Sequence, residues 1–279
     1  MTLAQYKYKF KSIMNSLYSN EEVEEIFFRL TDHHLQKSRA ETVLSYDKIL
    51  NEDALSVLDE SVSLLQRGVP LQYLIGEVVF AGCTLNVCEG VLIPRPETES
   101  LVYWMAKEHP RGGDALDICT GSGCIALGFA RLTKANVTGW DFSKSALACA
   151  YSNAERNQIP MNIEQMDVFN ISEVSKTWDV IVSNPPYVLE KEKSTMHTNV
   201  LDHEPHTALF VPDDNPIIFY DAISDFAMTH LNPGGSLYFE LNPYTADKVE
   251  QLLKTKGFTD IVIENDLRGL KRMMRSKSR

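Results

Sequence analysis

Apolar positions recur at two different periods along this chain, and the change from one to the other divides it. From Thr2 to Gly68 the period is helical. Leu55, Leu58, Val62 and Leu65 share one helix face at intervals of three and four, with Gly68 just past the end and Pro70 beyond it. Ser19 and Glu22 precede the run Val23 to Leu35 at the spacing of a capping box, where a hydroxyl and a carboxylate satisfy the free N–H groups of a helix start. These residues predict a small helical domain over 1–75. Between Tyr73 and Leu92 the period shortens. Segments Glu77 to Phe80 and Thr84 to Val87 flank Gly82 and predict a β-hairpin linker over 76–95.

Over 96–279 apolar strand-like runs alternate with helical ones, as in a parallel sheet covered by helices on both faces, so the fold class is α/β. Strands are predicted at Ala115 to Ile118, Asn136 to Trp140, Met161 to Gln165, Val180 to Ser183, Ser236 to Glu240 and Ile261 to Glu264. Helices are predicted at Cys124 to Leu132, Ser143 to Asn157, Ile217 to Leu231 and Tyr244 to Lys256. No internal repeat or low-complexity segment interrupts the pattern.

Composition narrows the function classes. At 279 residues, with 44% apolar and 23% charged residues, the chain can fold as two ordinary globular domains. No run approaches the roughly 20 apolar residues of a membrane helix, and Met1 to Lys11 mixes lysines with aromatics instead of forming a signal-peptide block, so a cytoplasmic protein is expected with no membrane partner. The five cysteines, Cys83, Cys88, Cys119, Cys124 and Cys149, lack zinc-knuckle or redox spacing and are expected to be reduced and mostly buried. His203 with His206 and His33 with His34 have no cysteine or carboxylate set to complete a metal site, so no metal is expected. A net charge of -11 disfavours nucleic acid as a substrate. The basic run Arg268, Lys271, Arg272, Arg275, Lys277 and Arg279 reads as a solvated, partly frayed terminus.

Candidate chemistry begins at Asp117-Ile118-Cys119-Thr120-Gly121-Ser122-Gly123, where a strand turns into a helix through glycines that let a ligand approach the backbone. Gly121, Gly123 and Ala126 also satisfy a dinucleotide fingerprint, so the loop alone fits nicotinamide enzymes and methyltransferases equally. Asp117 would repel a pyrophosphate but attract the cationic amino group of S-adenosylmethionine; it could instead cap the following turn. Asp141 ends the next strand, where a carboxylate can accept both ribose hydroxyls of either cofactor. Asp167 ends the strand after that, placed either for the exocyclic amine of adenine or as a plain loop acid.

Ser183-Asn184-Pro185-Pro186-Tyr187 follows the buried run Val180 to Val182, at the carboxyl edge where open α/β sheets bind ligands. The two prolines stiffen the backbone and remove two N–H donors. Asn184 Oδ1 and the Pro185 carbonyl can then each accept one hydrogen of a planar NH2 group and hold its nitrogen before a sulfonium methyl, while Tyr187 stacks on the plane. A rigid turn without chemistry is the alternative reading. Together, Asn184, Pro185, Pro186 and Tyr187 are the candidate substrate-binding residues, and Asn184, Pro185 and Tyr187 the candidate catalytic ones.

At these residues the chain resembles the HemK/PrmC family of methyltransferases. The blocks that carry the likeness are Pro70 to Gly76, Val91 to Glu99, the glycine loop, Asn184 to Tyr187, and Glu204-Pro205 with Ala208-Leu209-Phe210. The resemblance implies a class I S-adenosylmethionine-dependent methyltransferase domain, Rossmann-like with a seven-stranded, mostly parallel sheet. It also implies that the helical N-terminal domain docks a bacterial peptide chain release factor, whose Gly-Gly-Gln glutamine is methylated on the side-chain nitrogen (N5). Implied cofactor contacts are Cys119, Thr120, Gly121, Ser122, Gly123, Asp141, Asp167, Val168 and Asn184, and Pro94 to Glu99 is implied as a cleft wall. The chain departs from the family at Val168, where relatives often carry a larger residue, at Val211 to Pro216, and at Asn242-Pro243 after Glu240-Leu241. An adenine N6 methyltransferase on DNA or RNA is the alternative, because the same acceptors would hold a flipped base. A binding scaffold with a vestigial cofactor fold is a third reading, opposed by the intact Asn184 to Tyr187 run.

Overall fold

The computed structural model describes residues 1–171 and 174–278, and Arg279, the last residue of the basic tail, lies outside them. Two compact units emerge, one of residues 1–76 with 198–203 and one of residues 77–197 with 204 onward.

The helical unit holds α1 (Leu3–Met14), α2 (Asn20–Leu35), α3 (Arg39–Leu44), α4 (Glu52–Gln66) and α5 (Leu71–Ile75). Capping residues decide where these helices begin. Ser19 Oγ accepts the Glu22 N–H while the Glu22 carboxylate accepts the Ser19 N–H, the reciprocal box predicted from their spacing. Thr2 and Ser38 start α1 and α3 in the same way. Leu3, Tyr6 and Phe10 of α1, Val23, Phe27 and Leu30 of α2, and Leu58, Val62 and Leu65 of α4 close into one core. The helical period predicted for residues 2–68 is broken where Gln36 turns left-handed (φ 51°) after α2.

The α/β unit opens with the hairpin β1 (Glu77–Phe80) and β2 (Cys83–Asn86) and the helix α6 (Pro96–Glu108). There follow β3 (Asp114–Ile118), α7 (Cys124–Thr133), β4 (Asn136–Asp141), α8 (Lys144–Asn157), β5 (Met161–Gln165) and β6 (Trp178–Ser183). Next come the short pair β7 (Val188–Leu189) and β8 (Phe210–Val211); the intervening α9 (Thr198–His203) belongs to the helical unit. The chain ends with α10 (Ile218–His230), β9 (Leu231–Glu240), α11 (Ala246–Lys256), β10 (Thr259–Asn265) and β11 (Lys271–Lys277).

Seven strands form the central sheet in the order β10-β11-β9-β6-β3-β4-β5, with β11 antiparallel to both neighbours and the pairs from β9 to β5 parallel. Successive side chains of a strand point to opposite faces. Val180 and Val182 therefore enter the core under α6 and α7, while Ile181 enters the core with Trp140, Trp178 and Phe239 on the other face. A strand buried on both sides shows an unbroken apolar run, which is why Val180 to Val182 stood out in the sequence. Strand order reverses between β3 and β6, and the cleft at their carboxyl ends is where such sheets bind ligands.

The carboxyl terminus corrects one expectation. Lys271–Lys277 is no frayed tail but β11, inserted between β9 and β10. Met273 and Met274 are buried on opposite faces, and the Arg275 guanidinium pairs with Glu108 at 2.8 Å and Asp260 at 2.9 Å. Aliphatic stems can line a core while the terminal nitrogens of a cationic head are paired, even though Arg275 Nε is left without a partner, so a basic run can still be a sheet strand. The cysteines are all free, but only Cys83 and Cys149 are buried; Cys119 and Cys124 are half-buried and Cys88 is exposed. Among the described residues no helix is long and apolar enough to cross a membrane.

Candidate active site

A cavity of about 480 Å³ lies at the carboxyl edge of the sheet, within the size range of small-molecule sites. Its lining includes Cys119, Thr120, Gly121, Ser122, Asp141, Asp167, Val168, Asn184 and Pro186. Asp117, Gly123, Pro185 and Tyr187 are not on that lining.

The glycine loop leaves β3 with Cys119, Gly121 and Gly123 all at positive φ, which Gly121 and Gly123 adopt without a Cβ penalty. The Thr120 N–H donates to the Trp140 carbonyl at 2.9 Å, tying the loop to β4. From α8, Asn153 Nδ2 donates to the Ser122 carbonyl at 2.9 Å. β4 passes so close beneath that a Cβ on Gly139 would stand 2.9 Å from Thr120 Oγ1 and 2.1 Å from Met161 Cε. The loop is thus fixed from two sides before any ligand arrives.

Asp141 braces the loop from the end of β4. One carboxylate oxygen accepts the Gly121 N–H at 2.8 Å and the other the Ser143 N–H at 2.9 Å. Burial raises its pKa, against those backbone donors. Each oxygen keeps a second lone pair for a hydroxyl on a ligand. Asp117 is only 1% exposed, and its Oδ2 accepts the Thr120 hydroxyl at 2.7 Å and the Ala126 N–H at 3.2 Å in the first turn of α7. Its Oδ1 has no hydrogen-bond partner. Burial pushes the Asp117 carboxyl up to about 7, against the pull of the Thr120 and Ala126 donors. The turn-capping role is therefore occupied by one oxygen, and the other is left over.

Past β5, Asp167 is also partly committed, its Oδ1 accepting the Phe169 N–H and its Oδ2 the Asn170 amide. Phe169 stands 4.8 Å from Phe219, and both line the cavity with Phe142, which is 69% exposed. Val168 is small, and Phe142, Phe169 and Phe219 line the same cavity. These rings are not evident from the sequence, since isolated aromatics in separate segments carry no spacing signal.

After β6, Pro185 and Pro186 are buried and Asn184 half-buried. Asn184 Nδ2 donates to Thr98 Oγ1 at 3.3 Å. Thr98 lies in the first turn of α6, on the wall Ile93 to Thr98 that also lines the cavity. Its hydroxyl donates to Glu240 Oε2 at 2.6 Å, and the Tyr187 hydroxyl donates to Glu240 Oε1 at 2.8 Å. Burial raises the Glu240 pKa, while the Thr98 and Tyr187 donors and the nearby Arg272 lower it. Tyr187 is further held by Asn242, whose Nδ2 donates to the Tyr187 carbonyl at 2.9 Å. Asn242, where the chain departs from the family pattern, thus braces the Tyr187 backbone. Glu204, buried, accepts the Ile93 N–H at 3.2 Å and pairs with Arg95, joining that wall to the segment Pro205 to Phe210. The sequence signals for Glu240 and Glu204 are weak: Glu240 is an acid ending an apolar strand, and Glu204 opens the block Glu204-Pro205 with Ala208-Leu209-Phe210.

Comparison with known proteins follows the same lines. Residues 96–209 match the methyltransferase small domain family and residues 13–76 the PrmC N-terminal domain family. A release factor glutamine methyltransferase of Flavobacterium psychrophilum is 37% identical over 281 residues, covering 99% of each chain. The protein of the same description from Bacteroides thetaiotaomicron is 38% identical over 94% of this chain and 95% of its own. Among solved structures, a methyltransferase from Pyrococcus furiosus superposes with a TM-score of 0.57 at 20% identity, over 77% of this chain and 98% of its own, which is a likeness of fold.

Proposed function

The chain belongs to the release factor glutamine methyltransferase family, and we propose from that membership that it transfers a methyl group from S-adenosylmethionine to the side-chain amide nitrogen of the Gly-Gly-Gln glutamine in bacterial peptide chain release factors. The observation that carries this reading is the placement of Asn184, at the end of β6, on the same cavity as the glycine loop and Asp141.

The residues present fit the cofactor. Asp141 retains acceptor capacity for the ribose hydroxyls, the loop Cys119 to Gly123 offers a pre-bent backbone, and the unpartnered Oδ1 of Asp117, buried and off the cavity lining with its carboxyl pushed up to about 7, would be held ionised by a cationic amine at the loop. Asp167, Val168 and the rings of Phe142 and Phe169 are assigned to the adenine end. When bound, S-adenosylmethionine supplies an electrophilic methyl on sulfur.

The protein's own work is to present the nitrogen. An amide lone pair is delocalised into its carbonyl, so an unassisted NH2 group is a poor nucleophile. Asn184 Oδ1 would accept one of its hydrogens, and the Pro185 carbonyl, which lies off the cavity lining, would accept the other only once the substrate is seated; together they orient the nitrogen, and the hydrogen that the methyl replaces leaves as a proton. Pro186 covers the planar group, and Tyr187, off the cavity lining and held by Glu240, backs that wall. We assign docking of the factor to the helical unit, so a short Gly-Gly-Gln peptide should show a much higher KM than the whole factor; equal values would remove that role. The cytoplasm, where translation ends, is the compartment this reading requires.

Methyl-labelled S-adenosylmethionine offered with a release factor or with DNA tests the substrate class. Label on the factor supports the reading; label on DNA alone replaces it with adenine methylation, and label on neither leaves a binding scaffold.

A further inference from the structure

Asn184 can present either its oxygen or its NH2 to the cavity, because the amide has nearly the same shape after a half-turn. Only one orientation can accept hydrogens from a substrate nitrogen. The choice is made outside the four-residue segment. Thr98 has a single hydroxyl hydrogen, and it is committed to Glu240 Oε2 at 2.6 Å. Towards Asn184, therefore, Thr98 Oγ1 can only accept, and it does so from Nδ2 at 3.3 Å. An Asn184 turned the other way would set Oδ1 against the lone pairs of Oγ1.

We infer that Thr98 and Glu240 are positioning residues for methyl transfer, a buried relay from the end of β9 through the first turn of α6 that fixes which end of the Asn184 amide meets the substrate. The inference rests on the reading of Asn184 as acceptor for the reacting nitrogen. Three features support it. Glu240 is 1% exposed and both of its oxygens take hydroxyl donors, Thr98 on one and Tyr187 on the other, so one carboxylate organises two residues of the Asn184 to Tyr187 segment. The Thr98 hydroxyl reaches across to β9 rather than to the backbone of its own helix. A carboxylate at the end of the chain also polarises each bond before it, which strengthens Asn184 Oδ1 as an acceptor.

Thr98→Val keeps the shape and removes the relay; Thr98→Ser restores the hydroxyl. With glutamine-containing peptide as substrate, Thr98→Val should lower kcat by about tenfold to a hundredfold, less than outright loss of an oriented group. KM and S-adenosylhomocysteine affinity should stay within about threefold, and Thr98→Ser should recover most of kcat. Glu240→Gln removes the charge and has one oxygen for two hydroxyl donors, so it can accept from Thr98 only with its NH2 turned to Tyr187; a loss confined to kcat is expected. A Thr98→Val enzyme within about threefold of wild-type kcat overturns the inference. So does equal loss in Thr98→Val and Thr98→Ser, or a fall in cofactor affinity matching the fall in kcat. Side-chain amide NMR of Asn184 in the full-length S-adenosylhomocysteine complex needs no substrate. One Hδ2 resonance should show a hydrogen-bonded shift that Thr98→Val abolishes; an unchanged spectrum refutes the relay. A wild type that labels no glutamine would overturn the functional reading instead, and the NMR result would still decide the relay.

Discussion

Asp117→Asn should make the ligand-free protein more stable at neutral pH and leave it no more stable in acid. Asp117 has 1% exposure, two donors on Oδ2 and none on Oδ1, so burial outweighs its hydrogen bonds and carries its pKa from 3.8 to about 7. Because the folded pKa lies above the unfolded one, the folded protein keeps a proton between those values that the unfolded chain has lost. Stability therefore falls as pH rises from 3.8 to about 7 and is level above that. A shift of about three units at about 1.36 kcal/mol each amounts to roughly 4 kcal/mol at pH 8. Asparagine is neutral throughout and keeps an oxygen for Thr120 and Ala126. Its Nδ2 would replace the unpartnered oxygen, and a buried donor without a partner costs about 1–3 kcal/mol. The net gain at pH 8 is about 1–3 kcal/mol, and at about 2–4 °C per kcal/mol for a unit of this size Tm should rise by roughly 2–12 °C. Thermal melts of both proteins at pH 4, 6 and 8 without cofactor measure it. The Tm difference should grow with pH. A constant difference, or an asparagine variant that weakens as pH rises, would show that Asp117 is ionised in the fold and refute the reasoning.

Other outcomes follow from the same geometry. Asn184→Ala should nearly abolish turnover while S-adenosylmethionine affinity, measured by calorimetry, stays within about tenfold; loss of binding in a folded protein would make Asn184 chiefly a cofactor ligand. Gly139→Ala puts a Cβ 2.1 Å from Met161 Cε and 2.9 Å from Thr120 Oγ1, so the Met161 end must swing away and the Thr120 side chain must move, costing about 1–3 kcal/mol in denaturant unfolding and weakening cofactor binding through the loop. An unaltered midpoint and affinity would show that the loop is slack. Arg95→Met leaves the Glu204 side chain, 1% exposed, without its charge partner. The cost should be about 3 kcal/mol, the low end for a broken buried pair because Arg95 is 32% exposed. Arg95→Met with Glu204→Leu should recover only part of it, because the buried Ile93 N–H then loses its acceptor; full recovery would mean that the Ile93 bond contributes nothing there.

Much of the order of elements was readable because the inner strand β6 is apolar on both faces and the long helices carry a stripe at intervals of three and four, while the edge strand β5 is largely exposed. β11 was not, since Lys271, Arg272, Arg275 and Lys277 mask the buried pair Met273 and Met274 in any average of polarity. The glycine loop, Asp141 and Asn184 could be found locally, because each sits where a strand ends and their chemistry follows from that placement. The Thr98–Glu240 bond joins residues 142 positions apart, and no periodicity predicts such a contact. Asp117 was legible as an acid beside the glycines, but its near-complete burial and its leftover oxygen depend on how α7 and the loop close over it.

The central claim is that Asn184 presents a glutamine amide nitrogen to the methyl group. Its most direct test is tandem mass spectrometry of a release factor incubated with deuteromethyl S-adenosylmethionine and either the wild-type protein or Asn184→Ala. The account predicts deuterated methyl on the side-chain nitrogen of the Gly-Gly-Gln glutamine with wild type and almost none with the variant. Label on another residue, or equal labelling by both proteins, would contradict it.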